Sequence, residues 1–506
     1  MALPGVNVTV NDGGLRVTRP VAGTRVLLIG TTTSTDFPIN EPVVVTNVTL
    51  ATHALRNATG GDGYRRESEL SLALGECLNG GAQYVEVVKT ATVDGLQYTG
   101  YSTVNRFKAL SGSYADLRAH DTDIVVPVGA YAEDRIGGGF INTGGATAAW
   151  PIGVWTGNGQ MANDDSFARQ LAQFCYDQTT SHNTTIGVIG VKPPLLSPAV
   201  GNVVTGKNYG TGAASFMGSD TGYLFGTPSL TTVSSWVDDY LGAGSTGYFT
   251  SFVNNNWIQY LSGSHSSYKS VYLTASGWQA RDTSGVGVTD NLGNKVDVGS
   301  YISIVACPLR TFGANVRKLA IENGASGGNT TYNTDGAAAY AGFIGSLDPH
   351  IGSTNKIVPG VIPSKKMSFS QVETLMNRRL VTMITRARGF VVAKGVTGAY
   401  HVDNYTKSDF TQLTTQRITH AAIDQVRLSC EPFIGEPHNG PNISSMREAI
   451  EGGLRNMQLA GALQRYDFAI IATPDQQVLG QMTVDLTIVP AFEILDIQVN
   501  VTLAKE

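Results

Sequence analysis

Residues 67–88 read ESELSLALGECLNGGAQYVEVV. Leu70, Leu74, Cys77 and Leu78 recur on one face at helical spacing. Asn79-Gly80-Gly81 then breaks the pattern, and Tyr84–Val88 follows as a short β-branched run. An amphipathic helix, a tight turn and a buried strand make one half of an α/β repeat. Working outward, similar apolar runs occur at Arg25–Gly30, Asp123–Val128, Thr185–Val191, Tyr301–Cys307, Gly389–Ala393 and Phe468–Ala472. Ser166–Asp177 is a second amphipathic segment, with Phe167, Leu171, Phe174 and Cys175 on one face behind an N-cap at Asp165. Ser370–Leu380 opens on a capping box, Ser370 with Glu373. Thr414–Leu428 and Ser445–Leu463 follow, the latter with Ser445 and Glu448 as a second box. Helix and strand alternate, so the expected class is α/β with a substantial sheet.

The chain of 506 residues is long enough for roughly three domains. Charged residues are only 15% and the net charge is −5, which excludes a highly charged disordered chain and disfavours nucleic-acid binding. A surface poor in charge and rich in Gly, Thr, Asn and Ser suits a protein covered by neighbours. No apolar stretch approaches the roughly 18 residues of a membrane-spanning helix. The Met-Ala-Leu-Pro-Gly start lacks the basic and apolar regions of a signal peptide, so folding in a cytoplasm is expected. Cys77, Cys175, Cys307 and Cys430 are far apart, form no C-x-x-C motif, and read as reduced thiols.

Residues from about Leu195 to Ser300 are rich in Gly, Ser, Thr, Asn and Tyr, with little helical periodicity. They read as a largely β insertion or a set of long loops. The two ends carry a sharper pattern. Val6, Val8 and Val10 alternate with Asn7, Thr9 and Asn11. Ile497, Val499, Val501 and Leu503 alternate with Gln498, Asn500 and Thr502, and Met482–Ile488 alternates in the same way before Pro490. Each is a strand with one apolar face, needing partners for its backbone and cover for that face. Either the ends close the chain's own sheet, or each completes a sheet in a neighbouring subunit.

Motifs for chemistry are weak. Gly201–Asn208 approaches a phosphate-binding loop, but Asn208 stands where a Ser or Thr would bind magnesium. Gly324-Ala-Ser326-Gly-Gly matches a nucleophile elbow in letters only, since no strand or helix pattern flanks it. The histidines are isolated, and His350 and His438 each follow a Pro in a turn signal. Asp121, Asp123, Asp164, Asp165, Asp238 and Asp239 read as caps and strand ends rather than cation ligands. No catalytic, cofactor or metal site is expected. On Ser445–Leu463, Met446, Ile450, Leu454 and Met457 form an apolar stripe, while Arg447, Glu451 and Arg455 share another face. That charged strip is either solvated or docks on a complementary partner.

Taken in order, these segments resemble the contractile tail sheath proteins of bacteriophages and related injection machines. The resemblance lies in Leu3-Pro4-Gly5-Val6 at the start, Cys77–Val85, Asp121–Gly129, and Ala337–Pro359 with Ala341-Gly342-Phe343-Ile344 and Thr354-Asn355-Lys356. It is closest in the last third, through Leu375–Gly395, Thr414–Phe433, Met446–Ala472, Gly480–Pro490 and Glu493–Leu503. It covers about two thirds of the chain, by an ordered set of segments rather than one motif.

The resemblance, added to the reading of the residues, gives an expected α/β fold: a mixed-sheet sheath core with extended strand-like arms, and a largely β insertion that matches no part of the family. The divisions would be an N-terminal arm 1–20, a core 21–195, an outward β-rich insertion 196–300, continued core 301–365, a C-terminal α/β region 366–490 and a C-terminal arm 491–506. It further implies a homo-oligomer of stacked six-fold rings forming a helical sleeve, with a tail tube protein, baseplate and tail terminator proteins as partners. No cofactor, no direct nucleic acid and no membrane insertion is implied. The setting would be a virion tail, after assembly in the host cytoplasm. Val6, Val8, Val10, Ile497, Val499, Val501 and Leu503 would make intersubunit arm contacts, and Arg447, Glu451 and Arg455 are the candidate tube-facing residues. The alternatives are a tail-associated hydrolase and a non-contractile virion or baseplate protein.

Overall fold

Short β-branched runs with no polar face can only be strands covered on both sides, and that requirement organises the larger part of the molecule. A computed structural model of the chain describes residues 24–30, 32, 34–45, 47–56, 68–90, 122–132, 167–181, 183–191, 278–282, 286–289, 296–312, 331–364, 366–399, 409–495 and 498. Two units are present: the larger takes 24–347, 351–416 and the chain from Glu493, and the smaller takes Asp348–His350 and Arg417–Phe492.

The larger unit runs β1 (Arg25–Gly30), β2 (Pro42–Val44), α1 (Val48–Leu55), α2 (Glu69–Gly80), β3 (Tyr84–Lys89), β4 (Ile124–Pro127), α3 (Phe167–Ser181) and β5 (Ile186–Gly190). It continues with β6 (Ile302–Val305), β7 (Leu309–Phe312), β8 (Thr331–Thr334), α4 (Ala337–Gly345), α5 (Phe369–Asn377), β9 (Leu380–Val381), β10 (Met383–Arg386) and β11 (Gly389–Val392). Seven strands form one sheet in the order β2-β3-β1-β4-β5-β6-β9. All neighbours are parallel except β2, which runs antiparallel to β3, so the sheet is mixed. Register follows from Val26 beside both Val85 and Ile124.

Side chains alternate across the sheet. Val26, Leu28, Val85, Val87, Ile124 and Val126 join a core with Leu70, Leu74 and Cys77 of α2 and with α4. On the opposite side Leu171 of α3 lies against Gly187 of β5, where a Cβ would come within 2.7 Å of it. Every residue of α4 is buried. It crosses α2 at backbone contact: a Cβ on Gly342 would lie 2.0 Å from the Cys77 carbonyl oxygen, and one on Gly80 would lie 2.5 Å from that of Ala339. Tyr340, fully buried, exchanges a 3.0 Å hydroxyl hydrogen bond with Ser353. The buried Lys89 ammonium donates to the carbonyls of Ser34 and Phe37.

Several expected boundaries move. The helix read as opening at Ser370 begins at Phe369, because Ser368 and Gln371 form the capping box instead. The helix read as Glu67–Leu78 is α2, capped by Ser68 and closed by Gly81 in the left-handed region. Elements α1, β2 and α4 lack a readable period and were not expected. Asp123 accepts from the Arg25 backbone N–H at 2.7 Å, a strand-end role. Residues 201–208, Ser326, Asp121, Asp164, Asp165, Asp238 and Asp239 lie outside the described residues, as does most of 196–300. What is described of that region forms bridges, Gln279 with Asp297 and Arg281 with Gly287. Arg169 and Gln173 of α3 bond to the backbone of Gln279 and Arg281.

All four cysteines are free thiols; Cys77, Cys175 and Cys307 are buried, and Cys430 is half-buried. Burial pushes the Cys77 thiol up to about 12 and raises Cys175 and Cys307 as well. In a native thiol titration near pH 8, Cys430 alone is expected to react. The other three should appear only on unfolding; rapid reaction of more than one thiol in the folded chain would contradict this packing.

Candidate assembly interface

The smaller unit is built, among the described residues, from two long helices, one short helix and a two-stranded sheet. Its elements are α6 (Leu413–Cys430, in this unit from Arg417), α7 (Gly440–Leu459), β12 (Leu463–Ile471), α8 (Pro474–Val478) and β13 (Thr483–Pro490). The start expected at Ser445 lies inside α7. Asn439 is the N-cap, accepting from the Asn442 N–H, and Pro441 fits the first turn, where no N–H is needed. The apolar stripe forms as read: Met446, Ile450, Leu454 and Met457 are buried with Ile418 and Ala422 of α6. The helices approach closely at Gly453, where a Cβ would come within 2.4 Å of the Gln425 side chain.

Strands β12 and β13 pair antiparallel, Tyr466 with Ile488, Phe468 with Leu486 and Ile470 with Val484. These six side chains face the helices and are half-buried. The intervening residues Asp467, Ala469, Ile471, Thr483, Asp485 and Thr487 are exposed. Among the described residues no third strand joins either outer edge. Within the described residues the outer rows of backbone donors and acceptors of this sheet meet no other strand, which is the physical requirement for accepting added strands. Ile434, Leu459, Val478 and Leu479 are strongly exposed, with Val478 at 88%. Sequence reasoning missed these four, because exposure at turns and helix ends leaves no periodic signal.

Arg447, Glu451 and Arg455 all lie exposed on the face of α7 opposite its buried stripe. The expected arm residues Val6, Val8, Val10, Ile497, Val499, Val501 and Leu503 lie outside the described residues.

His420 of α6 is buried, and burial followed by the nearby Arg427 charge lowers its pKa to about 3. An unfolded histidine titrates near 6.5. The stability this group contributes is therefore complete above about pH 6.5 and drains as pH falls, because the unfolded chain takes up a proton that the folded one refuses. At pH 4.5 the expected loss is about 3 kcal/mol relative to pH 7.5. Denaturant unfolding of this unit at the two pH values, with His420→Leu alongside, checks it: the variant should lose most of that difference.

A cavity of about 30 Å³ past the end of β4 is lined by Glu76, Tyr131, Thr334 and Asp335, and Thr334 donates to Glu76 at 2.5 Å. That volume holds water, whereas substrate sites run to hundreds of Å³. No three His, Cys, Asp or Glu side chains among the described residues are placed to share a metal ion. No helix among them is long and apolar enough to cross a membrane.

No protein-family profile matches the chain, and no curated protein matches it. Among solved structures the chain has similarity to sheath and baseplate chains, each with a TM-score below 0.5. A chain of the anti-feeding prophage helical sheath in its contracted state has 11% identity and a TM-score of 0.48, with 99% of each chain covered. A chain of the anti-feeding prophage baseplate, six-fold symmetrised, has 12% identity and a TM-score of 0.47 over 100% of each chain. A sheath tail protein from Listeria innocua has 12% identity and a TM-score of 0.43, covering 93% of this chain and 92% of the other.

Proposed function

We propose that this chain is a structural subunit of a contractile tail sheath, polymerising as stacked six-membered rings into a helical sleeve around an inner tube. The observation that carries the reading is the β12–β13 sheet, which no third strand joins among the described residues, in a chain whose two ends alternate apolar and polar residues in sequence. Strands 6–10 and 497–503 of neighbouring subunits supply what those edges lack, so each subunit is stitched to others. Such a contact is head-to-tail and non-closing along the axis, and therefore generates a helical polymer. The exposed strip Arg447, Glu451 and Arg455 faces the tube. Shortening of the sleeve drives the tube through the target envelope. The work comes from interface energy stored at assembly, without nucleotide hydrolysis. The partners are the tube, baseplate and tail terminator proteins, in a virion tail put together in the host cytoplasm.

Negative-stain electron microscopy of the full chain, alone and with purified tube protein, tests this. Hollow tubes or stacked six-fold rings are expected. Monodisperse monomers under both conditions, at every concentration and salt, would overturn it.

A further inference from the structure

After β13 the chain re-enters the larger unit at Glu493. Its carboxylate accepts from the Thr354 hydroxyl at 2.8 Å and from the Thr414 hydroxyl in the first turn of α6. Thr354 Oγ1 in turn accepts the Gly395 N–H at 3.1 Å. Its segment is laced to β11 through Asn355 N–H to Val392 O and Val392 N–H to Lys356 O. Gly352 completes the cradle: a Cβ there would come within 2.4 Å of the Glu493 carboxyl group, so carboxylate and side chain exclude one another. An anion at the start of an 18-residue helix also complements the helix dipole. Immediately beyond, Ile494 is 80% exposed and Leu495 is 49% exposed. A clamped carboxylate is thus followed at once by apolar side chains held in solvent.

We propose that Glu493 is the anchor of the C-terminal arm, fixing the point and direction in which residues 494–506 leave the body. This inference rests on the sheath reading for its purpose. With the root fixed, the distance from Glu493 to the alternating run 497–503 sets which residues meet a neighbour's sheet edge. Tension on the arm passes to β11 and the first turn of α6 rather than into a slack linker. A carboxylate shared by two hydroxyls suits that role: it holds at rest and can be broken without disturbing an apolar core.

The test uses the full chain with Glu493→Ala, Glu493→Gln and Gly352→Ala, the last displacing the carboxylate without altering it. Three quantities are read: melting temperature, hydrogen exchange at 351–356, 413–416 and 491–498 in the unassembled protein, and the concentration at which polymer forms. Loss of a charge-assisted contact predicts exchange faster by about tenfold or more at these segments in Glu493→Ala and Gly352→Ala. The polymerisation threshold should rise by a comparable factor, with little change in melting temperature and partial rescue by Glu493→Gln. Wild-type exchange in Glu493→Ala would overturn the anchor. Faster exchange with an unchanged polymerisation threshold would overturn its role in the arm. If the unaltered chain never polymerises, with or without tube protein, the sheath reading falls, and exchange alone then decides whether Glu493 holds the tail.

Discussion

Deletion of residues 495–506 is expected to abolish polymer formation while leaving the melting temperature of the isolated chain within a few degrees of the intact protein. The four apolar side chains Ile497, Val499, Val501 and Leu503 would each bury against a neighbour, worth roughly 1.5–3 kcal/mol apiece on full burial. The added ladder of backbone bonds contributes about 1 kcal/mol net for each bond. Even after half of that sum is offset by ordering the arm, several kcal/mol remain, or a thousandfold or more in association at about 1.4 kcal/mol per tenfold. Among the described residues the fully buried cores of both units are built from residues up to Leu463. Differential scanning calorimetry with sedimentation separates the two readings of the ends. A chain that uses 497–503 to close its own sheet should lose many degrees on truncation. A strand donor should lose only assembly. Deleting 1–12 makes the matching test for Val6, Val8 and Val10.

Substitution Gly342→Val should cost the larger unit its fold. Along α4 this glycine meets the backbone of Cys77, with the carbonyl oxygen 2.0 Å and the carbonyl carbon 2.7 Å from where a Cβ would sit. A flexible side chain in that place could swing aside, but helix backbone cannot. Overpacking typically costs about 1–3 kcal/mol, occasionally more, and here the obstacle is main chain on a fully buried helix, so the upper end or beyond is expected. The outcome would be insoluble protein, or a melting temperature lower by about 10 °C. The control lies on the same helix pair: Gly75 of α2 has nothing within 4 Å of its missing Cβ. Gly75→Ala should be neutral or stabilise by up to about 1 kcal/mol through helix propensity. If both substitutions were equally tolerated, the close α2–α4 crossing would be refuted.

Five of the seven sheet strands, β1, β3, β4, β5 and β6, were legible because each pairs a β-branched run with a flanking turn. Buried helix α4 was not legible for the opposite reason. Ala337–Gly345 is apolar all round, so no face stands out against another and the 3.6-residue period vanishes. Helix starts went wrong where two caps compete. Ser368-Phe-Ser-Gln371 and Ser370-Gln-Val-Glu373 are both valid boxes, and the earlier one gains extra helical residues ahead of buried Val372. The charged strip on α7 could be read because its period matches that of the buried stripe behind it. The Glu493 clamp could not: its partners are 139 and 79 residues away, and threonines give no pattern to follow.

The smaller unit, three helices with a sheet of two strands among the described residues, also has a thermodynamic consequence. Small folds with so little sheet sit near the limit of independent stability. Strands supplied by neighbours bind the folded form and not the unfolded one, so they act as ligands for folding. At arm concentrations a thousandfold above the dissociation constant, that linkage adds about 4 kcal/mol. Dilute subunits are therefore expected to be fragile in this unit alone. In the polymer the same segment becomes hard to unfold, and a lone subunit is marked by its softness until it is incorporated.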